Sequence, residues 1–378
     1  MIEIKRDLEP IIESWLFKGK IITIFGPRQV GKTTLAKRIL KTHGSENNYF
    51  NCDISSIAQR FENPEPLLLE RIIDKAKLIV IDEAQRIRNI GLTLKIIHDT
   101  MPDTQVIATG SSSFKLRSDI NEPLTGRGIE FLLLPFSLNE LGQLYKTHEI
   151  DTLLPFFMRY GLYPEIVDKS ETDAEMLITN LSSKYLYKDI MEFENLKKPG
   201  LLTNILQLIA LQLGSEVSRN EIASKLNTSR ETIERYIDLL EKAFVIFRLK
   251  PLSRNRRNEI ARKEKIFFYD TGIRNSIILA FQPIDLREDK EALFENFMIA
   301  ERLKHLQLQS KKRNLWFWRT HDGKEIDYIE EYDGRFSAYE LKWGRAKIKK
   351  ATAESFKANY EPATISIITR DNYYEFLQ

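Results

Sequence analysis

The 378-residue chain is long enough for two or three domains, each with its own core. Its 42% hydrophobic and 29% charged residues are ordinary for a globular protein, and its formal charge of +3 requires that any nucleic-acid surface be local. No apolar run approaches a membrane span, the N-terminus lacks an export pattern, and the single cysteine, Cys52, excludes an internal disulfide, so a cytoplasmic protein with no membrane partner is expected.

The first predicted strand, Ile21–Phe25, runs into Gly26, Pro27, Arg28, Gln29, Val30, Gly31, Lys32 and Thr33, a complete Walker A loop, and a helical pattern opens at Thr34. Glycines let backbone N–H groups approach a triphosphate, Lys32 reaches its β- and γ-phosphates, and Thr33 offers a hydroxyl to Mg²⁺. Further strands are expected at Tyr49–Asp53, Leu78–Ile81, Gln105–Thr109 and Ile129–Leu134, alternating with helices as in a parallel α/β sheet. Asp82 ends the third strand as a Mg²⁺ carboxylate, and Glu83 beside it is placed to polarise the attacking water. After the fourth strand, Ser111 is the candidate γ-phosphate contact. Arg127, before the fifth, is either an arginine finger, which in trans requires a homo-oligomer, or an ordinary surface arginine.

This P-loop parallel-sheet unit is expected over residues 1–144 and a helical region over 145–215, with an apolar stripe at Leu202, Ile205, Leu206, Ile209 and Leu213. Residues 216–275 read as a winged helix-turn-helix. Thr228 and Glu231 form a capping box for its second helix, and strands Val245–Leu249 and Ile266–Tyr269 flank a basic tip. Residues 276–378 read as an α/β domain with a helix at Ala292–Leu306, a meander at Leu315–Trp343, a basic helix at Ile348–Asn359 and a strand at Thr364–Thr369.

G-P-R-Q-V-G-K-T-T-L, I-D-E-A-Q, T-G-S-S-S and L-T-G-R, in this order, resemble the prokaryotic AAA-type ATPases related to the archaeal ATPase group. The likeness continues through G-L-Y-P-E (Gly161–Glu165), F-Y-D-T-G (Phe268–Gly272), F-E-N (Phe294–Asn296) and E-I-D-Y-I, over almost the whole chain. It implies ATP as the nucleotide and a nuclease-like C-terminal domain.

The C-terminal acids also permit a geometric argument. Asp333-Gly334 is a two-residue hairpin signal, and a type I′ turn there pairs Tyr332 with Arg335. Counting outward, Asp327 falls opposite Glu340 and Glu325 opposite Lys342, all on one face. Opposed carboxylates about 5 Å apart repel by roughly 3 kcal/mol at an effective dielectric near 20, a cost that a divalent cation would remove. The D…E-x-K arrangement is similar to the PD-(D/E)XK nucleases, with Ile326 in place of the usual proline; that resemblance puts the acid of the preceding helix at Glu295. Glu295, Asp327 and Glu340 would then hold a second Mg²⁺ or Mn²⁺, with Lys342 beside the reacting phosphate. The same residues also suit a hairpin whose acids are solvated or lysine-paired, and a nuclease fold kept for binding alone.

The segment Arg248–Lys265 holds eight basic residues against two acids, and Arg254, Arg256 and Arg257 lead as contacts to DNA or RNA phosphates, with Lys347, Lys349 and Lys350 extending the track. Glu231, Glu234, Asp238 and Glu241 on the second helix oppose sequence-specific docking, and a winged helix used for internal packing is the alternative. Trp316 and Trp318 alternate on one strand and read as core. The sequence thus points to an ATP-hydrolysing, nucleic-acid-associated protein with a nuclease-like module; the alternative is a nucleotide-dependent switch that binds a protein partner.

Overall fold

Five apolar segments form parallel strands β1 (Ile21–Phe25), β2 (Tyr49–Asn51), β3 (Leu78–Asp82), β4 (Gln105–Gly110) and β5 (Gly128–Leu132), in the order β2-β3-β4-β1-β5. β1, β3 and β4 are buried along their whole length, which is why they read as continuous apolar runs. Helices Lys32–His43, Ser55–Glu62, Pro66–Ile73 and Ile90–Thr100 lie between these strands in the chain, as parallel pairing requires. β2 stops earlier than expected because Asp53 N turns back to donate to Asn51 Oδ1 at 3.0 Å.

The computed structural model describes residues 4–110, 124–194, 199–253, 263–309, 311–345 and 347–378. They form two units: Met1–Phe136 with Lys188–Leu196 and Lys242–Phe244, and Ser137–Tyr187 with Lys197–Glu241 and Val245–Gln378. No described helix is long and apolar enough to cross a membrane.

Helices Thr147–Tyr160, Glu171–Glu194 and Pro199–Leu211 follow, the second of them divided between the two units after Tyr187, and Leu202, Ile205, Leu206 and Ile209 are buried as a stripe. Helices Arg219–Lys225 and Arg230–Lys242 occupy the segment read as a helix-turn-helix. Its second helix is capped one residue later than expected: Ser229 Oγ, rather than Thr228, accepts from Thr232 N at 3.2 Å. Seven strands follow as one sheet: β6 (Glu216–Val217), β7 (Ile246–Pro251), β8 (Glu264–Phe268), β9 (Asn314–Arg319), β10 (Glu325–Tyr332), β11 (Arg335–Leu341) and β12 (Ala363–Ile368), ordered β12-β11-β10-β9-β7-β8-β6. β7 pairs antiparallel with β8 and parallel with β9, through Lys250↔Trp316 and Pro251↔Phe317. The sheet therefore runs across the 275/276 boundary drawn from sequence.

Trp318, Ile326, Ile329 and Ala338 line one face of this sheet with Phe356 of the helix Lys350–Asn359, and the Trp318 and Phe356 rings meet edge to face at 5.4 Å. The G-L-Y-P-E and F-Y-D-T-G motifs prove to be one lock. Asp270 caps the helix Thr271–Ile277 through Ile273 N (3.1 Å) and also accepts from Leu162 N (2.8 Å). Gly161 has φ +83°, and a Cβ on it would lie 2.1 Å from Asp270 Oδ1. In F-E-N, Asn296 brackets Phe268 of β8, accepting from its N–H (2.8 Å) and donating to its carbonyl (2.7 Å).

Candidate functional site

β1 delivers the chain into the Walker A loop at Phe25, and the loop ends where the helix Lys32–His43 begins. Gly31 caps that helix at φ +95°, and a Cβ on Gly26 would strike the Leu133 carbonyl at 2.0 Å, so both positions need glycine. The first N–H groups of a twelve-residue helix thus face the loop, as an anion site requires. Lys32 Nζ donates to the carbonyls of Gly26 (2.9 Å) and Pro27 (2.6 Å). Thr33 Oγ1 lies 3.1 and 2.9 Å from the two carboxylate oxygens of Asp82, bringing together motifs 49 residues apart.

Asp82 is buried and has two further donors: Tyr49, which no motif marked, and Thr109, the first residue of T-G-S-S-S. Tyr49 OH donates to Oδ2 at 2.5 Å, and Thr109 Oγ1 donates to Oδ1. Burial, then the Asp82 carboxylate, raise the Tyr49 pKa, so the hydroxyl stays a donor. Thr109 also accepts from Glu83 N at 3.2 Å, linking the two acids. Glu83 sits in the left-handed region at φ +53° and accepts from Gln85 Nε2. Buried Arg6, another lone residue, donates to the carbonyls of Val30 and Leu134, both at 2.6 Å, and braces the loop from behind. Cys52 is buried, and burial pushes its thiol up to about 12, which removes it as a nucleophile.

Arg127 is not part of this constellation. β5 runs parallel to β1 with Gly128 beside Ile21, so Arg127 stands at the opposite end of the strand from Gly26. Its guanidinium is engaged by Asp99, at 2.9 and 3.2 Å. Action on the phosphates of its own loop is therefore excluded by geometry. Ser111 lies outside the described residues.

The hairpin adopts the register expected from its turn: Tyr332 pairs with Arg335, Ile329 with Ala338 and Tyr328 with Tyr339. Asp333 and Gly334 have φ of +51° and +72°, as a type I′ turn demands. Beyond Tyr328 the ladder opens, and Asp327 Oδ2 accepts from Leu341 N at 2.9 Å. Lys342 Nζ bridges Asp327 (2.9 Å) and Glu340 (3.1 Å), gathering these three residues. Burial opposes the charge on Lys342, but Asp327 and then Glu340 outweigh it and raise its pKa. Glu340 is raised first by burial and next by Asp327.

Glu295 and Glu325 are paired with a different lysine, although Asp327 acts on Glu295 and Glu325 on Glu340 through space. Lys265, from β8, donates to Glu295 Oε1 at 2.9 Å and lies 2.7 Å from Glu325 Oε1, with only 1% of its side chain exposed. Burial pushes the Glu295 pKa up and the Lys265 ammonium pulls it back down. The expected trio of Glu295, Asp327 and Glu340 is thus divided between two lysines, and among the described residues no group of three or more His, Cys, Asp or Glu is arranged to hold a metal ion. Lysines supply the neutralisation that the sequence argument assigned to a cation. The pair Asp327 and Glu340 still fits one hard cation, because both offer only oxygen and Glu340 Oε2 is buried without a hydrogen-bond partner.

The basic run Arg248–Lys265 is smaller than it read. Arg248 is held by Glu234 (3.0 Å), Asp238 (2.9 Å) and Glu241, so three acids of the second helix turn onto their own sheet. Lys265 is buried, which removes two of the eight basic residues from any phosphate surface. Arg254, Arg256 and Arg257 lie outside the described residues; Lys347, Lys349 and Lys350 are exposed.

Residues 18–142 match a family model described as an AAA domain. Residues 151–284 and 290–376 match two models described as domains of unknown function (DUF8612 and DUF4143). An uncharacterized protein of Mycobacterium tuberculosis is 26% identical over 342 residues, covering 89% of this chain and 74% of that protein. Among solved structures, AMPPCP-bound DnaA from Aquifex aeolicus overlaps 61% of this chain and 86% of its own at 19% identity and a TM-score of 0.27. The Pif1 helicase from Candida albicans overlaps 48% of each chain at 15% identity and a TM-score of 0.26, so this chain spans about half of it. At such TM-scores the structural likeness carries no argument. The loop geometry and the match together make residues 18–142 an AAA-type ATPase domain.

Proposed function

We propose that this chain is a Mg²⁺-dependent ATPase that engages DNA or RNA without reading its sequence and governs a nuclease-like site on its C-terminal hairpin. Residues 1–144 turn over ATP, 145–215 form a helical connector, 216–275 a winged helix and 276–378 a nuclease-like module, the last two built on one sheet. In the first site Lys32 takes the β- and γ-phosphates, Thr33 and Asp82 would hold Mg²⁺, and Glu83 orients the attacking water. Ser111 contacts the γ-phosphate, and Arg127 serves only the site of a neighbouring copy in a homo-oligomer. Arg254, Arg256 and Arg257, with Lys347, Lys349 and Lys350, contact backbone phosphates.

The observation that supports the nuclease-like reading is the joint seat of Asp327 and Glu340 under Lys342, with one carboxylate oxygen unpartnered. The two acids would hold one Mg²⁺ or Mn²⁺, which when bound supplies a polarised water and charge neutralisation at a phosphodiester. Lys342 keeps its proton there and orients a phosphate oxygen or that water. The test is cleavage of plasmid and single-stranded substrates with Mg²⁺ or Mn²⁺, with and without ATP. Cleavage by the wild type that is lost in Asp327→Ala is expected; absence of cleavage under every condition overturns the cutting role.

A second reading is favoured by Lys265 and Lys342, which already neutralise the acids. On that reading the fold is a catalytically silent part of a nucleotide-dependent switch that binds a protein. Binding to nucleic acid weakens steeply as salt rises, whereas an apolar protein interface does not, so salt titration of the binding separates the two.

A further inference from the structure

The hairpin site holds four acids that feel one another's charge but are paired with two different lysines, and Arg319 also lies 3.7 Å from Glu325. Asp327 and Glu340 share Lys342, which is one-third exposed, and the Oε2 atom of Glu340 has no partner. Glu295 and Glu325 share Lys265, whose side chain is 1% exposed and reaches them from β8, outside the hairpin altogether. Its ammonium lies 2.9 Å from one carboxylate and 2.7 Å from the other, and the Phe317 ring closes one side with its centroid 5.5 Å away. Glu295 in turn comes from the helix Lys290–Gln307 and Glu325 from the start of β10. Three separate elements therefore converge on one buried nitrogen.

A fixed ammonium between two carboxylates does electrostatically what a cation would do there. It also occupies the space: Nζ touches Oε1 of both acids, so a cation bridging those same two oxygens at the roughly 2.0–2.6 Å of Mg²⁺ or Ca²⁺ coordination would need the place that Nζ holds. Lys342 differs: it approaches from the open side and leaves Glu340 Oε2 unengaged.

We propose that Lys265 is a built-in counter-ion that fills a second cation position between Glu295 and Glu325, so that the C-terminal unit takes one divalent ion, at Asp327 and Glu340, and not two. The single ion at Asp327 and Glu340 rests on the nuclease-like reading above; the blocking role of Lys265 does not. Lys265→Met would open the position, and Lys265→Arg would keep it filled.

The test counts Mn²⁺ bound by the full chain without nucleotide, from loss of the free-ion electron paramagnetic resonance signal. An Asp82→Asn background keeps the P-loop from contributing. One ion in that parent, two in Lys265→Met and one in Lys265→Arg are expected. Equal counts in the parent and Lys265→Met, or two ions in the parent, overturn the blocking role of Lys265. No ion in the parent but one in Lys265→Met leaves that role standing and overturns the site at Asp327 and Glu340. Circular dichroism checks folding, and Lys265→Gln, which keeps a donor between the carboxylates, replaces the methionine variant if that one does not fold. Mn²⁺ should also raise the melting temperature of Lys265→Met more than that of the parent, and equal shifts count against the proposal.

Discussion

Tyr49→Phe removes one hydroxyl and tests how Asp82 is held. The bond it deletes is 2.5 Å long and ends on a buried carboxylate. Hydrogen bonds to charged groups contribute about 1.5–3 kcal/mol. Thr33 and Thr109 remain on the same carboxylate, and the partly exposed side of Tyr49 lets water replace some of the loss, so the low end applies. A cost of about 1.4 kcal/mol is about tenfold in a rate or a binding constant. If Asp82 acts through Mg²⁺ as proposed, the loss should fall on kcat and on the Mg²⁺ concentration for half-maximal ATP turnover, each by up to about tenfold. Affinity for a fluorescent ATP analogue in chelator should stay within about twofold of wild type. Steady-state turnover against Mg²⁺, with analogue binding in parallel, reads both. Unchanged turnover and Mg²⁺ requirement would refute the reasoning. Analogue affinity falling as far as kcat would show that Tyr49 supports the fold and not the carboxylate.

Lys32→Ala should abolish ATP hydrolysis while leaving the circular dichroism spectrum intact, since its ammonium donates to the loop carbonyls of Gly26 and Pro27; preserved turnover would remove the P-loop assignment. Gly161→Ala should destabilise the second unit by at least 1–2 kcal/mol, roughly the cost of a strained φ before the clash with Asp270 is added, and urea unfolding measures it. Asp289 is opposed by burial, but Arg287 and Arg274 outweigh it and hold its pKa at about 2 against the ordinary 3.8. Because the folded value is the lower one, its stabilisation is present above about pH 4 and is lost as pH falls through about 2. The gap in urea midpoint between wild type and Asp289→Asn should therefore narrow between pH 5 and pH 2; a constant gap would show that the carboxylate's charge contributes nothing.

What could be read from sequence was whatever chemistry writes locally. The Walker A loop needs glycine at Gly26 and Gly31 for backbone reasons, and Asp333-Gly334 fixes its own turn, so both were legible without tertiary information. Residues whose role depends on which way they face were not. Lys265 lies in a basic run and read as wing, yet it points inward, because a charged residue among Ile266, Phe267 and Phe268 gives no sign that acids await it. Arg248 was miscounted for the same reason: its partners Glu234, Asp238 and Glu241 lie on one face of a helix whose packing no local pattern states. Tyr49 and Arg6 are single residues with no spacing to betray them. The pairing of β7 with β9 joins segments more than sixty residues apart, and two interior strands look alike whichever neighbour they take.

That pairing has a practical consequence. Truncation between residues 284 and 290, where one family match stops and the next starts, would tear a sheet along its middle. Each fragment would carry a raw strand edge, β7 in one and β9 in the other, with Phe317 and Trp318 newly wetted, the kind of surface that recruits further chains into aggregates. Neither sequence segment completes its sheet without the other.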